Sequence, residues 1–207
     1  MTQQTLTGSA LTGRTVVAFD LETISPNVPT GEYPDFDDPD DFELFGAAVA
    51  VQEPGTRPSD TPDEAIVLFR KGSSPTAEAT FGEQLVNRLQ ATDPDTIVTF
   101  NGDRFDKPVT AGRLQHLGIN EARTAFRSLF ETAEHLDLKH SAWSTYGNYT
   151  SLEELCEHQG LTIARVHWGD HEFTLKGMKM VLDQASYPYI TGADIATAGE
   201  VYLHAVD

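Results

Sequence analysis

Thr-Val-Val-Ala-Phe-Asp-Leu-Glu, at residues 15–22, is the most strand-like stretch of the chain. It is β-branched and apolar until its last three positions, which is typical of a buried strand. Side chains alternate between the two faces of a strand, so Asp20 and Glu22 share one face. Ionised carboxylates at the end of such a strand are costly to desolvate unless they are paired or bind a cation. A hard divalent ion would satisfy both, although two solvated acids remain the simpler alternative.

A second polar stretch, Asn-Gly-Asp-Arg-Phe-Asp at residues 101–106, directly follows a strand-like run, Thr96 to Phe100. Helical periodicity begins after it, so Asp106 is predicted at or near a helix N-terminus. A carboxylate is favoured there as a cap, and this is the ordinary structural explanation for it. Oxygen-only ligands of this kind suit Mg²⁺ or Mn²⁺, and a pair of such ions can promote phosphodiester hydrolysis.

The rest of the chain predicts a mixed sheet with flanking helices. Three successive strands indicate an antiparallel meander, and helices then alternate with further strands, which is typical of an α/β fold. The predicted strands are 15–22, 44–51, 65–70, 96–100 and 134–138. The predicted helices include the apolar stripe at 81–89, the segment 106–117, a helix with a capping box at 151–160, and two later helices at 174–186 and 193–206.

Length and composition favour one domain. A chain of 207 residues, 39% hydrophobic, can bury one sizeable core. We expect a polar lead at residues 1–14 and a single domain at 15–207. The lead has no apolar run, which predicts neither a signal peptide nor a membrane span, and favours a cytoplasmic protein. The one cysteine, Cys156, cannot form an internal disulfide or share a zinc site with a second thiol.

The formal net charge of −18 has the wrong sign for a nucleic-acid-binding protein. One explanation is a halophilic-type acidic surface, on which dense counterions screen the repulsion. The other is that nucleic acid is not the partner, unless a local basic groove or a metal compensates. A proline-rich stretch that precedes Glu43 is predicted to be a long acidic loop.

The two polar stretches resemble motifs of a known family. Phe-Asp-Leu-Glu-Thr at 19–23 is similar to the first motif, and Phe-Asn-Gly-Asp-Arg-Phe-Asp-Lys-Pro at 100–108 to the second, of the DEDD 3′-to-5′ exonucleases. The second motif most resembles the exonuclease domains of family B DNA polymerases and stand-alone RNase H-like exonucleases. His-Leu-Asp-Leu at 135–138 and Ser-Leu-Glu-Glu-Leu at 151–155 also resemble that family, so the likeness covers most of residues 15–160.

The resemblance implies an RNase H-like, five-stranded mixed sheet in which the first and fourth strands are neighbours. It implies a two-metal site with Mg²⁺ or Mn²⁺, in which Asn101 contacts the substrate strand and Phe105 packs nearby, while Asp137 is a supporting acid. Phe105 could equally be plain core. The implied catalytic and metal-binding carboxylates are Asp20, Glu22 and Asp106, and the implied substrate-binding residues are Thr23, Asn101, Arg104 and Phe105.

The family also has a third motif, an aspartate on a late helix that follows a tyrosine by four residues or a histidine by five. Asp207 is the candidate fourth catalytic carboxylate, but Leu203 and Tyr202 occupy those two positions. We therefore expect the chain to end before the true third motif. Loss of a water-positioning group typically costs about 10² to 10⁴ in rate, so a folded, weakly active domain is the expectation.

The predicted function is metal-dependent removal of nucleotides from the 3′ end of single-stranded nucleic acid, with DNA favoured. The main alternative is a catalytically weak or inactive module that binds nucleic acid or a replication or repair protein. A third possibility is a fragment of a family B polymerase. None of the three predicts a membrane partner, and none fixes an oligomeric state.

Several further side chains have both a functional and an ordinary explanation. Basic residues near the second motif and late in the chain could contact phosphates, although helix surface is the commoner role; they are Arg104, Lys107, Arg113, Lys176 and Lys179. Aromatic residues could stack on unpaired bases rather than pack internally; they are Trp143, Tyr146 and Tyr149. One group has spacing reminiscent of a metal site but is better explained as a solvated loop; it is His167, Asp170 and His171.

Overall fold

The computed structural model describes residue 11 and residues 13–29, 32–56, 62–147, 150–160, 166–168 and 171–173. Seven strands, a short 3-10 helix at Pro39–Asp41 and five helices lie within these ranges. The strands are β1 (Val16–Ile24), β2 (Glu43–Gln52), β3 (Glu64–Phe69), β4 (Thr96–Thr99), β5 (Glu134–Asp137), β6 (Val166–Trp168) and β7 (His171–Phe173). The helices are α1 (Pro75–Ala91), α2 (Asp106–His116), α3 (Asn120–Thr132), α4 (Leu138–Tyr146) and α5 (Leu152–His158).

The main sheet has five strands in the order β3-β2-β1-β4-β5. Strands β1, β2 and β3 form an antiparallel meander, whereas β4 pairs in parallel with both β1 and β5. The prediction of an RNase H-like α/β fold with a mixed five-stranded sheet is confirmed. The predicted neighbours, the first and fourth strands, are adjacent.

The core lies on one face of this sheet. Val17, Phe19 and Leu21 of β1 are buried on that face, as the alternation in the sequence predicts. Helices α1, α2 and α3 cover it and contribute Phe81, Leu114 and other apolar side chains to one cluster. The opposite face of β1 carries Ala18, Asp20 and Glu22, which remain at least partly accessible.

A buried ion-pair network joins two of the covering helices to the sheet. Glu78 of α1, 1% exposed, accepts hydrogen bonds from Arg113 of α2 at 2.9 and 2.8 Å and from the backbone N–H of Leu44 at 2.8 Å. Arg70 lies beside this pair and donates to Glu43 at 2.6 Å. Both interpretations of Arg113, as a phosphate contact and as helix surface, are wrong, because its guanidinium is buried against Glu78.

Two helices and a hairpin were not predicted. Helix α3 (Asn120–Thr132) has an apolar stripe, but its N-cap residue is Ile119, whose side chain cannot cap, so the usual start signal does not precede it. Helix α4 begins directly after β5, where Asp137 caps it by accepting a hydrogen bond from the N–H of Lys139. The interpretation of the segment around His167 as a solvated loop is wrong, because Val166–Trp168 and His171–Phe173 form an antiparallel strand pair. In the part of the chain that the structure describes, no helix is long and apolar enough to cross a membrane.

Candidate active site

The carboxyl ends of the three parallel strands meet at one edge of the sheet. The β1–β4 register ends at Ala18 opposite Val98, and the β4–β5 register ends at Thr99 opposite Asp137. Asp20 follows directly on β1, and the stretch 101–106 follows β4. This edge is the usual ligand-binding position of open α/β sheets, and most of the predicted site residues lie along it.

Asp106 is the first residue of α2, but its side chain does not cap that helix. Its Oδ1 accepts a hydrogen bond from the backbone N–H of Leu21 at 3.2 Å. The pairing of β1 with β4 ends at Ala18, so β4 offers no backbone acceptor to the N–H of Leu21. The Asp106 carboxylate accepts this hydrogen bond instead. The ordinary explanation of Asp106 as a helix cap is therefore wrong. Its side chain connects α2 to the end of β1.

The surroundings of Asp106 disfavour its charge. The residue is 2% exposed, and burial first, then the charge of Asp20, raise the pKa of Asp106 to about 8. Asp137 adds a smaller effect in the same direction, and the N–H of Leu21 opposes it. Among the described residues, no lysine, arginine or histidine forms a salt bridge with Asp106. A buried carboxyl group beside a second carboxylate fits a site that takes up a cation.

Glu22 lies on the same strand as Asp20, two residues further on and partly exposed. A register irregularity between Glu22 and Thr23 interrupts the pairing with β2 at this point. Bulges of this kind are frequent beside functional sites because they redirect the side chains that follow. Asp20 and Asp106 interact at this end of β1, and Glu22 and Thr23 follow on the same strand, one on each side of the irregularity.

The turn between β4 and α2 is held by Asp137. Its carboxylate accepts hydrogen bonds from the N–H groups of Asn101 at 2.8 Å, Asp103 at 3.1 Å and Lys139 at 3.0 Å. Asn101 adopts a left-handed conformation with φ of 69°. A Cβ atom at Gly102 would lie 2.1 Å from Thr99 Oγ1, so only glycine fits there. The expectation that Asp137 supports the site is consistent with these contacts.

A second polar cluster lies behind this turn. Lys107 Nζ donates to Asp103 at 2.8 Å and lies 3.4 Å from His135 Nδ1. Burial first, then the charge of Lys107, lower the pKa of His135. Asp103, Asp137 and His140 have ligand atoms within 4.8 Å of one another, so this trio could also hold a metal ion. Lys107 is thus engaged with Asp103 and is less available to phosphate than the sequence suggested.

A cleft of about 520 Å³ opens beside the turn, between the acidic loop and α4. Asn101 and Arg104, two predicted substrate-binding residues, line it. Phe105 is not among its lining residues; it packs beneath, with ring centroids 5.7 Å from Phe36 and 5.5 Å from Phe42. The lining residues are Phe36, Asp37, Pro39, Asn101, Asp103, Arg104, Pro108, Val109 and Lys139.

Two residues of this cleft were missed by sequence reasoning. Phe36 lies in a loop that was notable only for its prolines and acids, and Lys139 lies in a helix that was not predicted. Nothing in the spacing of either residue signals a site. Asp207, the predicted fourth carboxylate, lies outside the described residues, as do Lys176, Lys179 and Tyr149.

Comparison with known proteins gives a family. The model of the RNase H superfamily matches residues 60–169, which is more than half of the chain. The chain belongs to the RNase H superfamily. The match includes Asn101, Asp106 and Asp137, whereas Asp20 and Glu22 lie before it. The family prediction is confirmed at this level, and membership in this superfamily is consistent with a nuclease-type hydrolase.

Comparison of this RNase H superfamily member with solved structures gives matches of low sequence identity. The family B DNA polymerase of Pyrobaculum calidifontis is 19% identical with a TM-score of 0.56, over 93% of this chain and 23% of the polymerase. Exonuclease I of E. coli, in complex with a 5cy-dA13 oligonucleotide, is 17% identical with a TM-score of 0.46, over 71% and 36% of the two chains. A zinc-bound form of the E. coli exonuclease I–ssDNA complex is 15% identical with a TM-score of 0.47, over 93% and 40%.

The chain spans less than half the length of each of these proteins. At these identities the likeness to the polymerase concerns the fold alone. No curated protein matches the sequence.

Proposed function

We propose that this protein is a metal-dependent nuclease that removes nucleotides from the 3′ end of single-stranded nucleic acid, with DNA as the favoured substrate. In this proposal Asp20, Glu22 and Asp106 hold Mg²⁺ or Mn²⁺. The observation that supports it most is the juxtaposition of Asp106 with the end of β1, where its carboxylate accepts the N–H of Leu21 and interacts with Asp20. Membership in the RNase H superfamily supports the class of reaction.

The donor set fits a hard divalent cation. All three side chains offer oxygen, which Mg²⁺ and Mn²⁺ prefer to nitrogen or sulfur. Asp106 is buried beside Asp20 without a basic partner among the described residues, so a bound cation would offset both the desolvation and the mutual repulsion. Two ions bound at such a site would stabilise the attacking and leaving oxygens of a phosphodiester.

The residues around the carboxylates would bind and orient the strand. Asn101 is held in its left-handed conformation by the Asp137 carboxylate and lies in the wall of the cleft. Arg104 and Lys139 line the same cleft and carry the positive charge that a phosphate requires. Asp37 and Asp103 line the cleft as well, so these two cations supply local positive charge within a protein whose overall charge is −18.

The test is cleavage of 5′-labelled single-stranded DNA and RNA in Mn²⁺, at low and molar salt. Asp106→Asn is the informative variant because it keeps the shape of the side chain and removes the charge. Glu83→Gln, on the exposed side of α1, is the matched control. We expect a ladder that shortens from the 3′ end in the wild type and in Glu83→Gln, and its loss in Asp106→Asn and in EDTA.

Three other outcomes would change the conclusion. Cleavage that persists in Asp106→Asn and in EDTA would refute the metal-dependent site. Binding of the strand without cleavage would favour the non-catalytic module instead. A ladder with RNA but not with DNA would keep the reaction and correct the substrate.

A further inference from the structure

We propose that Phe36 is the stacking platform for the terminal base of the bound strand and that Lys139 contacts a backbone phosphate in the same cleft. This inference rests on the function proposed above and identifies how the strand end would be held. Three observations support it. Phe36 and Lys139 both line the cleft between the acidic loop and α4, they lie there beside Asn101 and Arg104, and neighbouring residues hold each of the two side chains in place.

Phe36 combines exposure with rigid support. The side chain is 55% exposed and lines the cleft. Its ring centroid lies 5.6 Å from that of Phe42 and 5.7 Å from that of Phe105, and these two rings are 5.5 Å apart. Phe42 is only 2% exposed, so the three packed rings of Phe36, Phe42 and Phe105 are continuous with the core. An aromatic ring held from below and open to a cleft is suited to stacking on a base.

The loop that carries Phe36 is anchored to α2. Pro39 packs so closely on Gly112 that a Cβ atom there would lie 2.5 Å from the Pro39 Cβ. Asp40 contacts His116 and lies 3.9 Å from Arg113, which is itself fixed by Glu78. Within the loop, the Asp41 carboxylate accepts the N–H of Asp35 at 2.7 Å. Phe36 therefore has a defined position relative to Asp106, the first residue of α2.

Lys139 is supported in a comparable way. Its Nζ lies 5.5 Å from the ring centroid of Phe100 and 5.6 Å from that of Trp143, within the range of cation–π contacts. Its backbone N–H is fixed by Asp137. Within the ranges that the structure describes, neither Lys139 nor Arg104 forms a salt bridge. These two cations are therefore available to phosphate.

The size of the cleft limits what it accepts. A volume of about 520 Å³ is in the range of small-molecule sites, roughly 300 to 1,000 Å³. Asp37 and Asp103 also line it, but Asp103 is paired with Lys107. The cleft therefore has the size for a group such as one nucleotide, with the ring of Phe36 facing a base and Arg104 and Lys139 offering positive charge to a phosphate.

The test compares two 5′-fluorescent oligothymidylates of equal length, one intact and one whose 3′-terminal nucleotide is abasic. Binding is measured by anisotropy in EDTA, and cleavage is measured separately in Mn²⁺. We expect the wild type to bind the intact end about 10- to 100-fold more tightly than the abasic end. Phe36→Leu, which keeps an apolar side chain on Phe42 and Phe105 but has no ring face, should lose this difference, and Phe36→Trp should retain it.

Tyr33→Ala is the control for aromatic residues of the loop, because Tyr33 is 87% exposed and does not line the cleft. It should leave the discrimination unchanged. Lys139→Gln should weaken binding of both oligonucleotides equally and reduce the slope of log affinity against log salt by about 0.7. If the wild type neither binds nor cleaves either strand, the proposed function itself fails. If it cleaves, but Phe36→Leu still discriminates, only the role of Phe36 is overturned.

Discussion

The backbone N–H of Leu21 donates a hydrogen bond to the carboxylate of Asp106 across a sequence separation of 85 residues. This contact joins the two motifs of the candidate site, because Leu21 lies between Asp20 and Glu22. It also explains why Asp106 is buried beside Asp20 instead of capping its helix. The backbone N–H of Leu21 therefore helps to fix the position of the Asp106 carboxylate. The effect of this position on the pKa of Asp106 can be measured.

Asp106 should make the metal-free protein less stable as the pH rises. Its pKa in the folded protein is raised to about 8, chiefly by burial and then by Asp20 on β1, with a smaller effect from Asp137 at the end of β5. An aspartate in the unfolded chain ionises near about 3.9. Between these values the folded state binds more protons, so the free energy of unfolding from this group falls with rising pH and levels off above about 8.

Thermal melts in EDTA across this pH range test the effect. Asp106→Asn should flatten the decline and be more stable than the wild type at pH values near its upper end. Glu83→Gln should follow the wild type. Parallel curves for the wild type and Asp106→Asn would show that Asp106 is ionised in the folded protein even without metal.

Asp137→Ala should destabilise the protein and also reduce any activity. The substitution leaves the N–H groups of Asn101, Asp103 and Lys139 without their shared acceptor. Loss of a helix cap costs about 1 kcal/mol, and a hydrogen bond to a charged group contributes roughly 1.5 to 3 kcal/mol. Because the Asp103 N–H is exposed and can bond to water instead, the cap and the Asn101 bond dominate, and we expect a loss of about 2.5 to 4 kcal/mol in urea unfolding. Ser151→Ala removes only the cap of α5 and should cost about 1 kcal/mol. Equal losses in the two variants would argue that Asp137 acts only as the cap of α4 and does not hold the turn between β4 and α2.

Gly102→Ala should displace the turn that leads to Asp106. The added methyl group would meet Thr99 Oγ1 at 2.1 Å and Thr99 Cβ at 2.6 Å, and both belong to the end of β4. Overpacking of this kind costs roughly 1 to 3 kcal/mol, and the backbone shift should reduce metal binding as well. Gly13→Ala, where nothing lies within 4 Å, is the control. Metal binding is measured by calorimetric titration with Mn²⁺, and stability by urea unfolding. If Gly102→Ala bound Mn²⁺ as tightly as the wild type, the close contact with Thr99 would not control the position of Asp106.

Arg113→Met should be strongly destabilising because it leaves the Glu78 carboxylate buried without its bidentate partner. Breaking a buried pair by removing one member costs about 3 to 5 kcal/mol. The double variant Glu78→Leu, Arg113→Met should lose less than the sum of the two single variants, since it removes both charges. Additive losses in urea unfolding would mean that the two residues do not act as a pair.

Much of the sheet could be predicted from the sequence, because its signals are local. Residues 15–22 were predicted as a strand from their β-branched, apolar character, and β1 spans Val16–Ile24. The capping box at Ser151 and Glu154 likewise forms as predicted. Helix α3 was missed although Ala122, Phe126 and Leu129 mark an apolar stripe, because its N-cap position is occupied by Ile119, whose side chain cannot accept a hydrogen bond. Local patterns identify an element only where its boundary is also marked.

The candidate site was predictable in part. The carboxylates could be found because they end a buried strand and resemble known motifs, and their proximity follows from the parallel pairing of β1 with β4. Phe36 could not be found, because its position depends on ring contacts with Phe42 and Phe105 and on the packing of Pro39 against Gly112. Those contacts join a loop to a helix that begins about 65 residues later, and no local periodicity encodes them. The roles of the site residues stay predictions, as does the single domain at 15–207.

The anchoring of the acidic loop has a consequence for the thermodynamics of recognition. A loop that becomes ordered only when a ligand arrives opposes binding through the conformational entropy it loses. Here the loop around Phe36 is already fixed on α2 by Pro39 and Asp40, so that loss occurs during folding. Ordering this wall of the cleft then adds little to the cost of association, and the affinity for any ligand of the cleft depends mainly on contacts that the folded chain already presents.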